Sequence, residues 1–249
     1  GAPAALAGVQ VSLLDGQRGQ FTAAQLEAAL PPRDDHFAPP SLVCVENTHN
    51  RGGGSVWPLG EIESVVAAAR GNGLALHLDG ARLWNASAAS GVSEPEYAGH
   101  FDTVSVCFSK GLGAPVGSAL AGPVDVIAKA RFYRKQQGGA MRQGGILAAA
   151  AMHALEHNRT RLADDHANCR SLANGLAKLP GLEIDVGGAE TNLLFIGTGR
   201  RDAAALAKRL DDSGVRLLAT GPHTLRAVTN LTVTAEEVGQ VIAVFEQMP

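Results

Sequence analysis

Lys110 follows the apolar run Thr103-Val-Ser-Val-Cys-Phe-Ser109 and precedes the glycine-rich Gly111-Leu-Gly-Ala-Pro-Val-Gly117, while Asp79 closes a second apolar run, Leu74-Ala-Leu-His-Leu78. Both polar residues are thereby placed at strand ends. In an open α/β sheet the carboxyl ends of the strands are where ligands bind, so an ammonium and a carboxylate delivered there can converge on one small molecule. That pairing has the chemistry of a pyridoxal phosphate (PLP) site: the amine forms a Schiff base, and the carboxylate keeps the pyridine nitrogen protonated so that the ring withdraws electrons. A lone loop Lys is ordinarily a solvated charge. Here the strand on one side and the glycines on the other permit close ligand approach and are expected to desolvate the amine.

Further candidate residues accompany this pair. Asp79 lies in His77-Leu-Asp-Gly-Ala-Arg-Leu83, where it can also simply cap the next helix. Arg82 would share a helical face with Asp79 and can either pair with it or take a substrate carboxylate in a two-pronged contact. His49 falls in the polar loop past Glu46, placed to stack on a ring or to hydrogen-bond a substrate hydroxyl. Arg226, on the alternating run Thr224-Leu-Arg-Ala-Val-Thr229, points away from the face of Leu225 and Ala227 and can reach a carboxylate across a cleft, or be ordinary surface. Arg142, in the Gly-rich segment 138–145, suits phosphate or carboxylate binding, and a helix-end surface Arg explains it nearly as well. His77 alternates with leucines and reads as a satisfied core or supporting histidine.

The elements that must position these residues follow from periodicity. Residues 9–14 read as a short strand, and Thr22-Ala-Ala-Gln25 is a capping-box pattern that opens a helix ended by Pro31-Pro32. A buried-strand run over residues 42–46 comes next, then a helix carried by Leu59, Ile62, Val65, Val66 and Ala69, stopped by Gly71-Asn72-Gly73, then the strand leading to Asp79. This is βαβ alternation and implies a parallel sheet. Residues 124–137 and 146–157 read as helices, and the stripe Leu162, His166, Cys169, Leu172, Leu176 and Leu179 extends a third for about five turns. Strands are expected over 182–186, 192–196, 215–219 and 225–228, with helices over 203–210 and 238–245, the last opened by the capping box Thr234-Ala-Glu-Glu237. The expected fold is α/β, a mostly parallel sheet flanked by helices over residues 1–158, followed by a smaller α+β domain over 159–249.

At 249 residues, 45% apolar and 4% aromatic, the chain can bury a large core of Ala, Leu and Val. A net charge of -3 with interspersed signs argues against nucleic-acid or membrane-surface roles and leaves small anionic or zwitterionic ligands. Cys44, Cys107 and Cys169 lack metal-ligand spacing and read as reduced core thiols. His36, His49, His77 and His100 are spread without zinc-ligand spacing. Ser109 and Ser118 lack a nucleophile elbow, and the 111–117 loop lacks a P-loop ending. With neither a membrane span nor a signal-peptide pattern, a cytoplasmic location is expected.

Four ordered motifs then carry a resemblance: Cys44-Val-Glu-Asn-Thr-His-Asn-Arg-Gly-Gly53, His77-Leu-Asp-Gly-Ala-Arg-Leu83, Val104-Ser-Val-Cys-Phe-Ser-Lys-Gly-Leu-Gly-Ala-Pro-Val-Gly117 and Gly138-Gly-Ala-Met-Arg-Gln-Gly144. Together they resemble the low-specificity threonine aldolases, PLP enzymes of fold type I. The resemblance implies that Lys110 carries PLP and Asp79 meets the pyridine nitrogen. It further implies that Arg82 and Arg226 hold the substrate carboxylate, that His49 lies near the β-hydroxyl, and that Arg142 is close to the cofactor. It implies a homodimer or homotetramer that cleaves threonine or allo-threonine to glycine and an aldehyde. In such enzymes a further segment supplies a Ser-Gly-Thr type phosphate loop and a ring-stacking histidine. Neither is legible here, which leads to the expectation of a fragment or a truncated relative. A different PLP lyase that eliminates at Cβ, and a non-catalytic oligomerisation or binding module, are the alternatives.

Overall fold

In the computed structural model, which describes residues 1–248, two short helices, α1 (Ala2–Ala7) and α2 (Ala23–Ala29), precede the first strand. α2 opens on the expected capping box: the Gln25 N–H donates to Thr22 Oγ1 at 3.2 Å and the Thr22 N–H to Gln25 Oε1 at 2.8 Å, satisfying donors that a helix end leaves open. β1 (Leu42–Glu46), α3 (Leu59–Gly71), β2 (Ala75–Gly80), α4 (Leu83–Ser90), α5 (Glu94–Ala98), β3 (Thr103–Cys107) and β4 (Ser118–Ala121) follow. They form a sheet of order β1-β2-β3-β4, in which the first three strands are parallel and β4 returns antiparallel on β3.

Side chains alternate along a strand, so each strand sorts its residues to two faces. Val43, Val45, Leu76, Leu78 and Val104 pack on one face with Trp57, Tyr97 and the Ile62, Val65 and Ala69 stripe of α3. Ile62, Leu76 and Leu78 are wholly buried, and each such side chain contributes about 2 kcal/mol of hydrophobic stabilisation. The other face is half-open and carries two polar rows. The register sets Cys44 beside His77 and Thr103, and Glu46 beside Asp79 and Ser105. This corrects the reading of the thiols: Cys44 is exposed, Cys107 is half-buried, and Cys169 alone of the three is core. Their strands are apolar, but alternation turns both thiols away from the valines.

Beyond β4 come α6 (Val124–Gln136), α7 (Gly145–His157), α8 (Leu162–Leu176), β5 (Leu193–Gly197), α9 (Ala203–Asp212), β6 (Leu218–Gly221), β7 (Thr224–Val228) and α10 (Ala235–Glu246). The last three strands form an antiparallel sheet of order β5-β7-β6. A second core joins it to α8, α9 and α10 through Cys169, Leu172, Leu176, Leu206, Leu210 and Leu225. α10 has the expected Thr234–Glu237 capping box.

Several expected elements differ. Residues 9–14 pair with no strand and are irregular, with Leu13 90% exposed; alternation alone makes no strand without a ladder partner. α8 ends at Leu176, after which Lys178 and Leu179 donate to Gly175 and Leu176 in tighter turns. Residues 182–186 make an isolated bridge, Glu183 to Gly197, because the Asp185 carboxylate takes the Gly188 N–H at 2.9 Å and turns the chain. β6 starts at Leu218, since the Val215 N–H is already bound to the Leu210 carbonyl at 2.8 Å. α4, α5 and β4 are short elements that periodicity did not reveal.

Candidate active site

Lys110 lies in the bend that leaves the carboxyl end of β3, and that bend is anchored from below. The Ala114 N–H donates to the Phe108 carbonyl at 3.0 Å and the Gly113 N–H to the Lys110 carbonyl at 2.9 Å. Leu112 is 1% exposed in a small core with Ala154 and Leu162, and Asn158 Nδ2 donates to its carbonyl at 2.7 Å. Gly111 and Gly113 have no room for side chains: a Cβ would fall 2.7 Å from Leu162 and 2.1 Å from Leu231 respectively, and Gly113 has φ +76°. The Lys110 side chain itself is exposed. The expected desolvation is therefore not found, because burial falls on Leu112 and Ala114, which anchor the turn and leave the amine open.

Asp79, next to last in β2, is half-buried between Glu46 of β1 and Ser105 of β3. Its Oδ1 accepts the Ala81 N–H at 3.0 Å, so it shapes the turn into α4, whose N-cap is Arg82. Asp79 and Arg82 do not share a helical face, since one belongs to the strand and the other starts the helix. His77 Nδ1 lies 2.7 Å from Thr103 Oγ1. Burial pushes its pKa down against the pull of Asp79 and Thr103, in keeping with a satisfied supporting histidine.

His49 sits in the loop between β1 and α3. Its Nδ1 accepts the Gly52 N–H at 2.9 Å, so a neutral ring carries its proton on Nε2. Nε2 stands 3.6 Å from Glu46 Oε2, and Glu46 Oε1 accepts the Asn50 N–H at 2.8 Å. Gly19, at φ +82°, lies so close to the imidazole that a Cβ there would come within 2.1 Å of Nδ1.

The loop is clasped by distant parts of the chain. Arg18 donates from Nε to the Gly52 carbonyl at 3.1 Å and from Nη2 to the Gly188 carbonyl at 2.7 Å, and its Nη1 pairs with the Glu190 carboxylate. Glu190 Oε2 in turn accepts the Val56 N–H at 2.9 Å, and Thr191 Oγ1 donates to the Gly54 carbonyl at 2.8 Å.

Arg226 projects from β7 on the face opposite Leu225 and Ala227, as alternation predicts. It meets Arg82 at Asn50: the two Nη1 groups donate to the same Asn50 Oδ1, at 3.4 Å from Arg82 and 3.3 Å from Arg226. Both Nε atoms are buried without a partner. Burial pushes the Arg82 pKa down and the neighbouring Arg226 charge adds to that, while Glu46, Cys107 and Asp79 pull it back up. Two cations with spare donors at one point form an anion-binding arrangement. Arg142 is exposed between α6 and α7 and takes part in none of these contacts. Glu46 and Asn50 are the members that sequence reasoning missed. Both lie inside a quoted motif, but nothing in their spacing separates them from other polar loop residues.

The sheet order, the helices stacked on one face and the polar strand ends define an α/β chain. Residues 1–199 match the beta-eliminating lyase family. A probable low-specificity L-threonine aldolase 2 from Arabidopsis thaliana is 39% identical over 92% of this chain and 66% of its own length. The low specificity L-threonine aldolase of Escherichia coli O157:H7 is 39% identical over 98% of this chain and 71% of its own. The crystal structure of a putative L-allo-threonine aldolase from Listeria monocytogenes superimposes with a TM-score of 0.81, at 23% identity, over 99% of this chain and 70% of that one, a likeness of fold. The chain belongs to the beta-eliminating lyase family, in the group of the low-specificity L-threonine aldolases. It spans about two thirds of the length of its Arabidopsis relatives, 66% of one and 63% of another.

Proposed function

We propose that the protein is a PLP-dependent aldolase that cleaves the Cα–Cβ bond of L-threonine or L-allo-threonine, giving glycine and acetaldehyde. The observation that carries this reading is the meeting of Arg82 and Arg226 at one acceptor, with the Glu46 and Asp79 carboxylates near enough to act on the Arg82 charge. That arrangement accepts an α-carboxylate. The donor set also fits the cofactor: an accessible amine at Lys110, a carboxylate at Asp79 for a protonated pyridine nitrogen, and a half-open sheet face of small and polar side chains between them. When bound, PLP supplies the electron sink for charge that builds at Cα.

The chain's own residues do the rest. Lys110 would hold the cofactor through its amine, and Asp79 would keep a proton at the ring nitrogen. Arg82 and Arg226 fix the substrate by its carboxylate, which converts a diffusive encounter into an oriented one. His49, with its proton on Nε2, donates to the β-hydroxyl oxygen, and the Glu46 carboxylate, 3.6 Å from that Nε2, is the base that takes the hydroxyl proton as the Cα–Cβ bond breaks. Arg142 is assigned to the cofactor on the family resemblance, its exposed guanidinium suiting an anionic group.

We further infer a larger unit over residues 1–158 and a smaller one over 159–249, supported by two separate cores. Homodimer or homotetramer formation is supported by the large apolar side chains exposed on and between α6 and α7, where Phe132 is 68% and Ile146 74% exposed. A cytoplasmic location is supported by three free cysteines. No helix of the described residues is long and apolar enough to cross a membrane.

A β-elimination is the second reading, favoured by the family that residues 1–199 match. Protein supplied with PLP is expected to show an absorption band that borohydride reduction fixes covalently, and Lys110→Ala should abolish that fixation. With L-threonine it should release glycine and acetaldehyde in equal amounts. Release of ammonia and a 2-oxo acid instead would establish elimination, and absence of both products and of the band would leave a binding module.

A further inference from the structure

Asn50 is where the two halves of the candidate site meet. Its side-chain oxygen takes Nη1 of Arg82, from the first sheet's crossover helix, and Nη1 of Arg226, from the second sheet, at 3.4 and 3.3 Å. Two guanidinium groups repel each other, and here both are largely out of water, so something must hold them together. A carboxylate in that place would cancel one of the two charges and fill the anion position from within. An amide oxygen accepts from both without cancelling their charge, and each buried Nε remains unpartnered, a donor for an incoming anion.

The Asn50 backbone is itself fixed. Its N–H donates to Glu46 Oε1 at 2.8 Å, its carbonyl accepts the Gly53 N–H at 3.3 Å, and the loop is held by Arg18, Glu190 and Thr191. His49 is the preceding residue of that loop. Carboxylate and hydroxyl recognition are thus set by adjacent residues on one rigid segment.

We infer that Asn50 is a positioning residue for carboxylate recognition: its neutral oxygen gathers Arg82 and Arg226 into an open, doubly charged cradle for a substrate's single α-carboxylate. This rests on the proposed amino-acid site. The role differs from that of the arginines, since Asn50 acts through them, and it sets how strongly the site prefers a carboxylated amine over a decarboxylated one.

The test compares Asn50→Asp and Asn50→Ala with the parent, all loaded with PLP, and measures kcat and KM for L-threonine. Propionate binding by calorimetry, on protein without cofactor, provides a readout independent of turnover. Asn50→Asp, whose own carboxylate occupies the cradle, is expected to raise KM about tenfold or more with kcat within about threefold, and to weaken propionate by a similar factor. Asn50→Ala, which leaves the guanidinium groups to separate, should shift both in the same direction by about fivefold. If Asn50→Asp does not fold, Asn50→Ala decides by the same split. Unchanged KM and propionate affinity in folded variants, or a fall in kcat alone, would overturn the inference. Arg82→Lys and Arg226→Lys separate it from its premise. If they weaken propionate and the Asn50 variants do not, Asn50 is no positioner; if they too leave propionate unaffected, the carboxylate site itself is misassigned.

Discussion

Asp79 shows how little a side chain's local bonding says about its chemistry. One oxygen satisfies the Ala81 N–H at 3.0 Å, a contact that an amide oxygen makes equally well. Asp79→Asn should therefore fold normally while losing the charge proposed to keep a ring nitrogen protonated. The expected result is a fall in kcat of about 100-fold, equivalent to about 3 kcal/mol of barrier, with cofactor affinity changed by less than about tenfold in a spectrophotometric titration. Near-normal turnover would remove Asp79 from the reaction. Lys110, Asp79, Arg82 and His49 were legible as polar residues at or after apolar runs, because strand ends are local properties, and Arg226 as the polar-face residue of the alternating strand β7. Glu46 and Asn50 were not. Asn50 matters only because Arg226, from the other end of the chain, folds onto it, and no local spacing encodes that.

At the level of elements, two contacts control how firmly the site is built. The bend bearing Lys110 depends on Gly113, which combines φ +76° with a Cβ position 2.1 Å from Leu231. Gly113→Ala is expected to cost about 1 to 3 kcal/mol, from backbone strain and overpacking together, and to lower activity as the bend shifts; paired thermal melts and rate measurements check both. The second contact is between α4 and α8, where Asn85 Nδ2 lies 3.0 Å from His166 Nε2. Burial, with the charge of Arg170 adding to it, pushes the His166 pKa down from 6.5 to about 4. Between those values the unfolded chain binds a proton that the folded one refuses. The contribution is thus complete above about pH 6.5 and is lost as pH falls toward 4, by about 3 kcal/mol in all. Asp165 beside it is shifted upward by burial and works in the opposite sense, so the clean measurement is the difference in urea midpoint between parent and His166→Gln at pH 7 and pH 4.5. The parent should lose more of its stability over that interval. The capping boxes and α3 were legible because their signals repeat within a few residues. The strand expected at 9–14 failed for the opposite reason, since a strand exists only where another pairs with it, and β4 went unseen because its four residues are all exposed.

For the molecule as a whole, Arg18 ties three regions together. It bonds the His49 loop through Gly52 and the segment before β5 through Gly188 and Glu190. Arg18→Ala should cost about 2 kcal/mol, the scale of hydrogen bonds to charged groups. It should also speed amide exchange in residues 49–56 while leaving the exchange of β2 and β3 unchanged, as read by mass spectrometry; uniform acceleration would mean that the clasp supports the entire fold and not the loop. The sequence distances involved carry a consequence for timing. Asn50 meets Arg226 across 176 positions and Arg18 meets Glu190 across 172, whereas the parallel strands pair over far shorter spans. Contacts that close such long loops are formed late. A chain emerging from the ribosome can therefore pair β1 to β4 and expose the Lys110 amine well before Arg82, Asn50 and Arg226 come together. On the proposed reading, recognition is the last thing this protein acquires as it folds, and the first it should lose when its two sheets part.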